Sequence, residues 1–246
     1  MAGTAVLGRL NWLAATLVAK REETARVRSL IFECPMWDGH MPGQHVDIRL
    51  TAEDGYQAQR SYSIGSAPED DHLVLTVERL QDGEVSPYLF DVLEPGDQLE
   101  MRGPIGRYFV WEGHMGGPLL MIAGGSGVVP FRSMLRHREA SGAEVPTRLL
   151  YSARSLEDVV YREELAATGD GVEVRLALTR EQPEGWEGYH RRIDADILAE
   201  TAWPPEEMPA TFVCGPTGFV EVVANCLVDL GHDPESIRTE RFGPTG

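Results

Sequence analysis

The feature of this sequence that most constrains its fold is a strand–turn–helix unit in its second half. Residues 118–123 form a continuous apolar run, which is typical of a strand buried on both faces of a parallel sheet. Residues 131–139 then carry apolar side chains at helical spacing. The turn between the run and the helix reads Gly124, Gly125, Ser126 and Gly127. A glycine-rich turn in this setting is typical of a loop that binds a dinucleotide pyrophosphate, although an ordinary tight connection is the simpler alternative.

The rest of the second half repeats the alternation of strand and helix. Further strands are predicted at residues 148–152, 172–178 and 211–214. Further helices are predicted at residues 156–167, 193–200 and 218–230. Strands that alternate with helices in this way indicate a doubly wound α/β domain built on a parallel sheet.

The first half is built differently, from short β-branched or alternating runs. Strands are predicted at residues 14–19, 27–32, 45–50 and 73–77. Several short strands at this spacing indicate a small antiparallel barrel. Ser86, as an N-cap before Pro87, predicts the start of one helix. The pattern changes across residues 111–117, so we expect two domains, residues 1–112 and residues 113–246.

The composition bears on partners and compartment. The 246 residues carry a formal net charge of −17, which argues against nucleic acid or an anionic membrane surface as a partner. No apolar run is long enough to span a bilayer, and the N-terminus lacks the pattern of a secretory signal. We therefore expect a cytoplasmic protein. The three cysteines lack metal-ligand spacing and a plant-type 2Fe–2S cluster needs four thiolates, so we expect no metal site.

Two further motifs flank the glycine-rich turn in the chain. The first is Arg60-Ser61-Tyr62-Ser63 and the second is Cys214-Gly215-Pro216. In this order and at these separations, the three motifs resemble the ferredoxin–NADP reductase superfamily, in which a flavin passes electrons between a nicotinamide and a one-electron carrier. The resemblance covers nearly the whole chain. It implies an antiparallel Greek-key barrel that binds the flavin, followed by the doubly wound nucleotide-binding domain.

The resemblance assigns the flavin site mainly to the first of these motifs. It places Arg60 at the flavin pyrophosphate, Tyr62 against the isoalloxazine ring and Ser63 beside the reactive N5 atom. These types suit the roles, because arginine offers a forked donor to phosphate and an aromatic face suits a flat heterocycle. An ordinary strand with an exposed arginine is the alternative. The resemblance implies FAD rather than FMN, with further contacts from Val77, Gly83, Val85, Ser86, Glu240 and Phe242.

The resemblance assigns the second domain to a nicotinamide dinucleotide. The glycine-rich turn is expected to bind the pyrophosphate of that nucleotide. Cys214 is expected beside the nicotinamide, together with Gly215 and Pro216. For Cys214 a buried, unreactive thiol is the alternative, since that is the common fate of a lone cysteine.

The end of the strand at residues 148–152 is expected to distinguish NADPH from NADH. The resemblance places four residues around the adenosine 2′-phosphate and the adenine, namely Ser152, Arg154, Tyr161 and Arg162. The two arginines favour NADPH, because a guanidinium neutralises a 2′-phosphate. Glu157 or Asp158 could instead accept from a ribose diol, which leaves NADH open.

The expected function is that of an NAD(P)H-dependent flavoprotein reductase. Electrons would pass from NAD(P)H through FAD to a separate one-electron carrier, such as an iron–sulfur ferredoxin or an oxygenase component. The residues expected at the reacting centre are Ser63, Cys214 and Glu240. Two alternatives are open, a reductase of free flavin or quinone and a non-catalytic regulatory subunit that binds flavin. Given the net charge of −17, the carrier is expected either to be basic or to dock on an arginine patch such as Arg21, Arg26 and Arg28. Neither the identity of the acceptor nor the oligomeric state is predicted.

Overall fold

The computed structural model describes residues 10–243, which form two sheets in succession. The first sheet contains β1 (Leu13–Thr24), β2 (Val27–Glu33), β3 (His45–Thr51), β4 (Gln57–Ser63), β5 (Leu73–Glu78) and β6 (Gln98–Ile105). Its order is β4-β3-β6-β1-β2-β5, and every pairing is antiparallel. Ile64, just after β4, forms an antiparallel bridge with Leu75 in β5, so the outer strands meet and close a barrel. The antiparallel barrel predicted from the sequence is confirmed.

The barrel interior is filled by alternate side chains of its strands. Phe32, Val46 and Leu75 are completely buried there. One end is closed by a short helix, α1 (Val85–Pro87), which continues as a π-helical turn over Tyr88–Val92. The predicted N-cap at Ser86 is wrong, because the helix begins at Val85. The Ser86 hydroxyl instead accepts from the Leu80 amide at 3.1 Å and stabilises the preceding turn.

The second sheet is parallel and confirms the predicted α/β domain. It contains β7 (Leu119–Gly124), β8 (Thr147–Ala153), β9 (Val172–Leu178), β10 (Ala210–Pro216) and β11 (Ile237–Phe242). Its helices are α2 (Val129–Ala140), α3 (Arg162–Ala166), α4 (Ala195–Thr201) and α5 (Thr217–Asp229). The strand order is β11-β10-β7-β8-β9, so the winding direction reverses between β7 and β10. Ligands of open α/β sheets bind where the carboxyl ends of two such strands diverge.

Two of the predicted helices begin later than expected. In the region predicted as a helix over residues 156–167, only α3 is α-helical, because Tyr161 adopts a left-handed conformation with φ of 60°. The helix predicted to begin at residue 193 begins at Ala195, where the Asp194 carboxylate caps it by accepting from the Ile197 amide at 3.0 Å.

The connection between the sheets runs from residue 106 to residue 118 and packs into the nucleotide-binding domain. Phe109 meets Phe212 of β10 edge-to-face, with ring centroids 5.2 Å apart, and lies 5.9 Å from the Phe131 ring of α2. Trp111 is almost completely buried beside them. The predicted boundary between residues 112 and 113 lies within this connection and stays a prediction.

The glycine-rich turn lies directly on the backbone at the end of β10. A Cβ atom at Gly127 would stand 2.3 Å from the Cys214 carbonyl oxygen, which no side chain tolerates. Between the ends of β7 and β10 lies the ring of Phe219, and a Cβ at Gly124 or Gly215 would come within 3.0 Å of it. Glycine is therefore required at these three positions by close packing.

Helix α2 joins the two domains, because its side chains bind the barrel segment that follows β4. Arg132 donates to the Gly65 carbonyl at 2.7 Å, and Ser133 donates to the Ser66 carbonyl at 2.6 Å. Arg136 donates twice to the Asp70 carboxylate, at 2.5 and 2.8 Å. Burial alone would raise the pKa of Asp70, but hydrogen bonds from Arg136 and the Ala67 amide outweigh it and lower that pKa.

We predict that Asp70→Asn lowers the free energy of unfolding by about 1 kcal/mol at neutral pH, because it removes a charge-assisted pair. The folded-state pKa of Asp70 is below the unfolded value of about 3.9, so its stabilisation is present above that pH. The gap between wild type and variant should stay constant from about pH 7 to 5 and close as the pH falls below about 4. Urea unfolding across this range measures the gap. Asp71→Asn, one exposed residue further along, is the control. A gap that does not change with pH would contradict the ion pair.

We predict that Gly127→Ala lowers the free energy of unfolding by about 1–3 kcal/mol, because the turn must move off β10. Gly218→Ala is the matched control, since a Cβ at that position in α5 meets nothing within 4 Å. Alanine there should be neutral or stabilising by up to about 1 kcal/mol. Equal effects of the two substitutions in chemical denaturation would disprove the close approach.

Candidate functional site

The end of β4 presents a cation beside an aromatic ring, as the first motif predicts. Arg60 is exposed, and among residues 10–243 its guanidinium enters no ion pair and donates to the Gln59 carbonyl at 2.6 Å. Tyr62 is half-buried against the barrel core, and burial raises the pKa of its phenol. The hydroxyl therefore stays protonated at neutral pH. An exposed guanidinium next to a partly exposed ring fits the phosphate and flat ring system of a flavin nucleotide.

Strand register and one side-chain contact connect Ser63 in the barrel with Glu240 and Cys214 in the second sheet. Ser63 pairs with His45 in the barrel, and Glu240 pairs with Cys214 in the second sheet. His45 Nδ1 lies 3.5 Å from Glu240 Oε1, which joins the two pairs across the domain boundary. His45, which was not predicted as a site residue, thus links the three residues predicted at the reacting centre.

Two groups in this neighbourhood constrain its chemistry. Cys214 is buried, and burial together with the nearby Glu240 carboxylate raises the pKa of its thiol well above the usual value. The thiol is therefore neutral near pH 7 and is not a nucleophile. Glu240 Oε2 is buried and has no hydrogen-bond partner within the described part of the chain. A buried carboxylate oxygen in this condition fits a site whose donor belongs to a bound molecule.

The glycine-rich turn is open on the side away from β10. It forms a 3₁₀ turn over Gly125–Val128, and Gly125 has a φ of 56°, which favours glycine. Nothing lies within 4 Å of the position that a Cβ at Gly125 would take. The open turn fits a pyrophosphate group, which backbone amides at such a turn can bind. One polar group of the turn already has a partner in the barrel, since Ser126 Oγ donates to Glu78 Oε2 at 2.9 Å.

The barrel segment from Val77 to Ser86, which is predicted to make further flavin contacts, contributes packing through its side chains. Val77, Val85 and Ser86 are all buried in the barrel or its helical cap. A Cβ at Gly83 would stand 2.9 Å from the Ser86 hydroxyl, so Gly83 is needed for the turn that Ser86 stabilises. Any contact that this segment makes with a flavin would use the backbone, and it stays a prediction.

The tip of β8 carries the predicted nucleotide-selecting residues Ser152 and Arg154. Ser152 is half-buried and Arg154 is exposed. The Arg154 backbone is fixed, since its carbonyl accepts from the Arg180 amide at 2.9 Å and the Glu181 amide at 3.1 Å. Arg154 enters no ion pair with any residue between 10 and 243, which leaves its charge for a ligand.

Arg162 lies in a different electrostatic environment from the tip of β8. Arg162 lines a cleft of about 510 Å³ between β1 and the segment that leads into α3. Arg21 also lines it, together with five carboxylates, those of Glu22, Glu23, Glu157, Glu163 and Glu164. Of these, Glu23 is paired with Arg21 and Glu164 with Arg132. Carboxylates outnumber arginines in the cleft, so the setting of Arg162 does not favour the predicted phosphate contact, which stays a prediction.

Tyr161 lies in the contact between the domains. Only 3% of the residue is exposed, and its hydroxyl donates to the Thr76 hydroxyl of β5. The Arg132 guanidinium lies 4.9 Å from its ring centroid. Its ring presents no exposed face to an adenine, so the structure assigns Tyr161 to interdomain packing rather than to the predicted adenine contact.

The three arginines named as a docking patch all have intramolecular partners, and the patch stays a prediction. Arg21 lies 2.7 Å from the Glu23 carboxylate, and Arg26 lies 3.1 Å from the Asp158 carboxylate. Arg28 donates to the Phe90 carbonyl at 2.6 Å and stacks on the Phe90 ring. The sequence could not reveal this, because two of the partners are more than 60 positions away.

The described residues offer neither a cluster of metal ligands nor a membrane-spanning helix. Between residues 10 and 243, no three histidine, cysteine, aspartate or glutamate side chains are placed to hold a metal ion. In the same range, no helix has the length and apolar character that crossing a membrane requires. The cysteines Cys34, Cys214 and Cys226 are all free thiols.

The sequence matches two family models, one in each domain. Residues 14–110 match the oxidoreductase FAD-binding domain, and residues 121–225 match the oxidoreductase NAD-binding domain. The first match spans β1 to β6 and includes the motif around Arg60. The second spans β7 to most of α5 and includes the glycine-rich turn.

Similar proteins agree with these matches over nearly the whole chain. The ferredoxin–NADP reductase B of Sorangium cellulosum is 34% identical, and the match covers 93% of this chain and 96% of that protein. The glycine betaine monooxygenase reductase subunit of Pseudomonas aeruginosa is 32% identical over 91% of this chain. The match spans only 62% of that longer relative.

A solved structure shares the fold. The flavohem-like FAD/NAD-binding domain of the nitric oxide dioxygenase from Vibrio cholerae superposes with a TM-score of 0.83 at 26% identity. The match covers 94% of this chain and 99% of that domain. With a barrel that matches an FAD-binding domain and a parallel sheet that matches an NAD-binding domain, the chain belongs to the ferredoxin–NADP reductase superfamily.

Proposed function

We propose that the protein is an NAD(P)H-dependent flavoprotein reductase that uses FAD and delivers electrons to a separate one-electron carrier. The main support for this proposal is the 3.5 Å contact between His45 Nδ1 and Glu240 Oε1. His45 pairs with Ser63 in the barrel, and Glu240 pairs with Cys214 in the second sheet. That contact joins the strand proposed to bind flavin to the strand end proposed to bind nicotinamide. FAD, when bound, accepts a hydride from a nicotinamide and releases electrons one at a time.

The residues around this contact bind and orient rather than react. Arg60 binds a phosphate oxygen and Tyr62 packs on a flat ring, while the Ser63 hydroxyl donates a hydrogen bond at the reacting edge. The neutral thiol of Cys214 fills the space beside the nicotinamide without attacking it. Glu240 Oε2, which lacks a partner in the described structure, accepts from a donor of the bound nucleotide or flavin.

The second domain holds the nucleotide by its phosphates. The open turn at Gly125 receives the pyrophosphate, and Arg154 at the tip of β8 receives the 2′-phosphate of NADPH. NADPH is proposed over NADH on the strength of Arg154 alone, since Arg162 lies in an acidic cleft. NADH stays the second candidate, because Glu157 and Asp158 lie near the same strand end.

The acceptor is proposed from chemistry and from the relatives. The chain holds three cysteines, one fewer than a four-thiolate 2Fe–2S cluster needs, so the proposed carrier lies outside these 246 residues. A relative from Pseudomonas aeruginosa is named as the reductase subunit of a monooxygenase, which supports an oxygenase component or a ferredoxin as the carrier.

The function is tested by following flavin reduction in the FAD-reconstituted protein. We predict that NADPH bleaches the flavin absorbance under anaerobic conditions and that Ser63→Ala slows this step about ten- to a hundredfold, as loss of one hydrogen bond at the reacting centre would. Ser61→Ala is the matched control, because its hydroxyl is bound to Asp47 at 2.7 Å. Stopped-flow absorbance measures both rates, and an unchanged rate in a flavin-loaded Ser63→Ala protein would refute the assignment.

The rate at which the NADPH-reduced protein is reoxidised tests which acceptor it uses. The reduced protein is mixed in turn with a 2Fe–2S ferredoxin, free FMN and a soluble quinone. Faster reoxidation by the ferredoxin supports the proposed one-electron output. Faster reoxidation by FMN or quinone favours a direct reductase, and a protein that NADPH and NADH both fail to reduce favours a regulatory subunit.

Nucleotide preference is tested at Arg154. We predict that Arg154→Ala raises the KM for NADPH about tenfold or more and leaves the KM for NADH unchanged, because only NADPH carries the 2′-phosphate. Arg162→Ala should change both constants less than about twofold, since carboxylates outnumber arginines in the cleft around it. Steady-state kinetics gives the KM of wild type and of both variants for NADPH and for NADH. Equal losses for NADPH and NADH in Arg154→Ala would contradict the assignment.

A further inference from the structure

A barrel carboxylate is bound to the glycine-rich turn of the other domain. Glu78 is the last residue of β5, and its Oε2 atom accepts a hydrogen bond from Ser126 Oγ at 2.9 Å. The two residues are 48 positions apart, and the bond is partly buried. It crosses from the strand that follows the flavin motif to the turn that matches the NAD-binding domain.

This bond engages the one hydroxyl proton that the turn can offer. A serine hydroxyl has a single O–H donor, and an ionised carboxylate can only accept. Gly124, Gly125 and Gly127 have no side-chain donors. A phosphate oxygen that approaches the turn therefore finds the Ser126 proton already directed at Glu78.

The negative charge of Glu78 also opposes the binding of a pyrophosphate at the turn. A carboxylate and a pyrophosphate that share one donor repel each other, and the repulsion is stronger in a partly buried site than in bulk water. The opposing charge lies on the barrel, not on the nucleotide-binding domain itself. Its effect therefore depends on how the two domains are held together, which α2 fixes through Arg132 and Ser133.

We propose that Glu78 limits nucleotide affinity by competing with the dinucleotide pyrophosphate for the Ser126 hydroxyl, and that binding breaks the Glu78–Ser126 bond. This inference rests on the proposed function, since it takes the glycine-rich turn as the pyrophosphate site. It makes Glu78 a determinant of affinity for ligands that carry phosphate at the turn. Ligands that bind only at the tip of β8 do not meet this competition.

The test is equilibrium binding to the FAD-reconstituted protein, measured by titration calorimetry with oxidised NADP⁺. Glu78→Gln keeps the shape and removes the charge, and we expect the Kd for NADP⁺ to fall about three- to tenfold. Glu94→Gln removes the same charge from an exposed ion pair elsewhere on the barrel and should leave the Kd unchanged. Adenosine 2′-monophosphate, which lacks the pyrophosphate, should bind wild type and Glu78→Gln equally.

The Ser126→Ala background shows whether the hydroxyl is the shared group. With the hydroxyl removed, the gain from Glu78→Gln should shrink to less than about twofold, because the two changes are coupled. A gain of undiminished size in that background overturns the competition for Ser126. A gain for adenosine 2′-monophosphate equal to that for NADP⁺ also overturns it.

The remaining outcomes separate this inference from the proposed function. If wild type binds NADP⁺ or NAD⁺ and Glu78→Gln binds no tighter, the inference fails and the proposed function stands. If neither protein binds either nucleotide, both fail. Thermal unfolding of each variant confirms that the protein is folded, and Glu78→Ala replaces Glu78→Gln if the latter is unstable.

Discussion

The contact on which the rest of the structure depends is the glycine-rich turn lying on the backbone of β10. Gly127 can stand against the Cys214 carbonyl only because it has no Cβ. That approach fixes where the chain leaves β7 and hence the direction in which α2 begins. Helix α2 then extends to the barrel, where Arg132 and Ser133 bind two successive carbonyls of the segment after β4. A packing requirement inside one domain thereby sets the position of the other.

The arrangement of charge explains how a chain of net charge −17 can bind anionic cofactors. Most arginines at the domain contact have carboxylate or carbonyl partners, as Arg132 and Arg136 do. Arg60 and Arg154, in contrast, are exposed and enter no ion pair with residues 10–243. These two cations stand at the end of β4 and at the tip of β8, the places proposed for the two phosphate-bearing ligands. On this proposed assignment, the local placement of two guanidinium groups would outweigh the overall negative charge of the chain.

The sequence predicts the fold well, because both domains depend on local patterns. Apolar runs, glycine-rich turns and the change of periodicity near residue 111 are enough to identify a barrel followed by a parallel sheet. β6 and β11 are missed, since Gly103 and Pro104 break the pattern in one and charged residues alternate through the other. Roles that depend on distant partners are also missed. Neither the burial of Tyr161 under Arg132 nor the contact of His45 with Glu240 has a local signature.

The hydrogen bonds from α2 to the barrel also affect whether either domain could fold on its own. A barrel excised near residue 110 would retain all six of its strands and its closing bridge at Ile64. It would lose the hydrogen bonds from Arg132 and Ser133 to the Gly65 and Ser66 carbonyls, and water would have to replace these donors. The second domain, for its part, would expose the Arg132 guanidinium and the Tyr161 ring to water. We therefore expect the two domains to unfold together rather than one at a time.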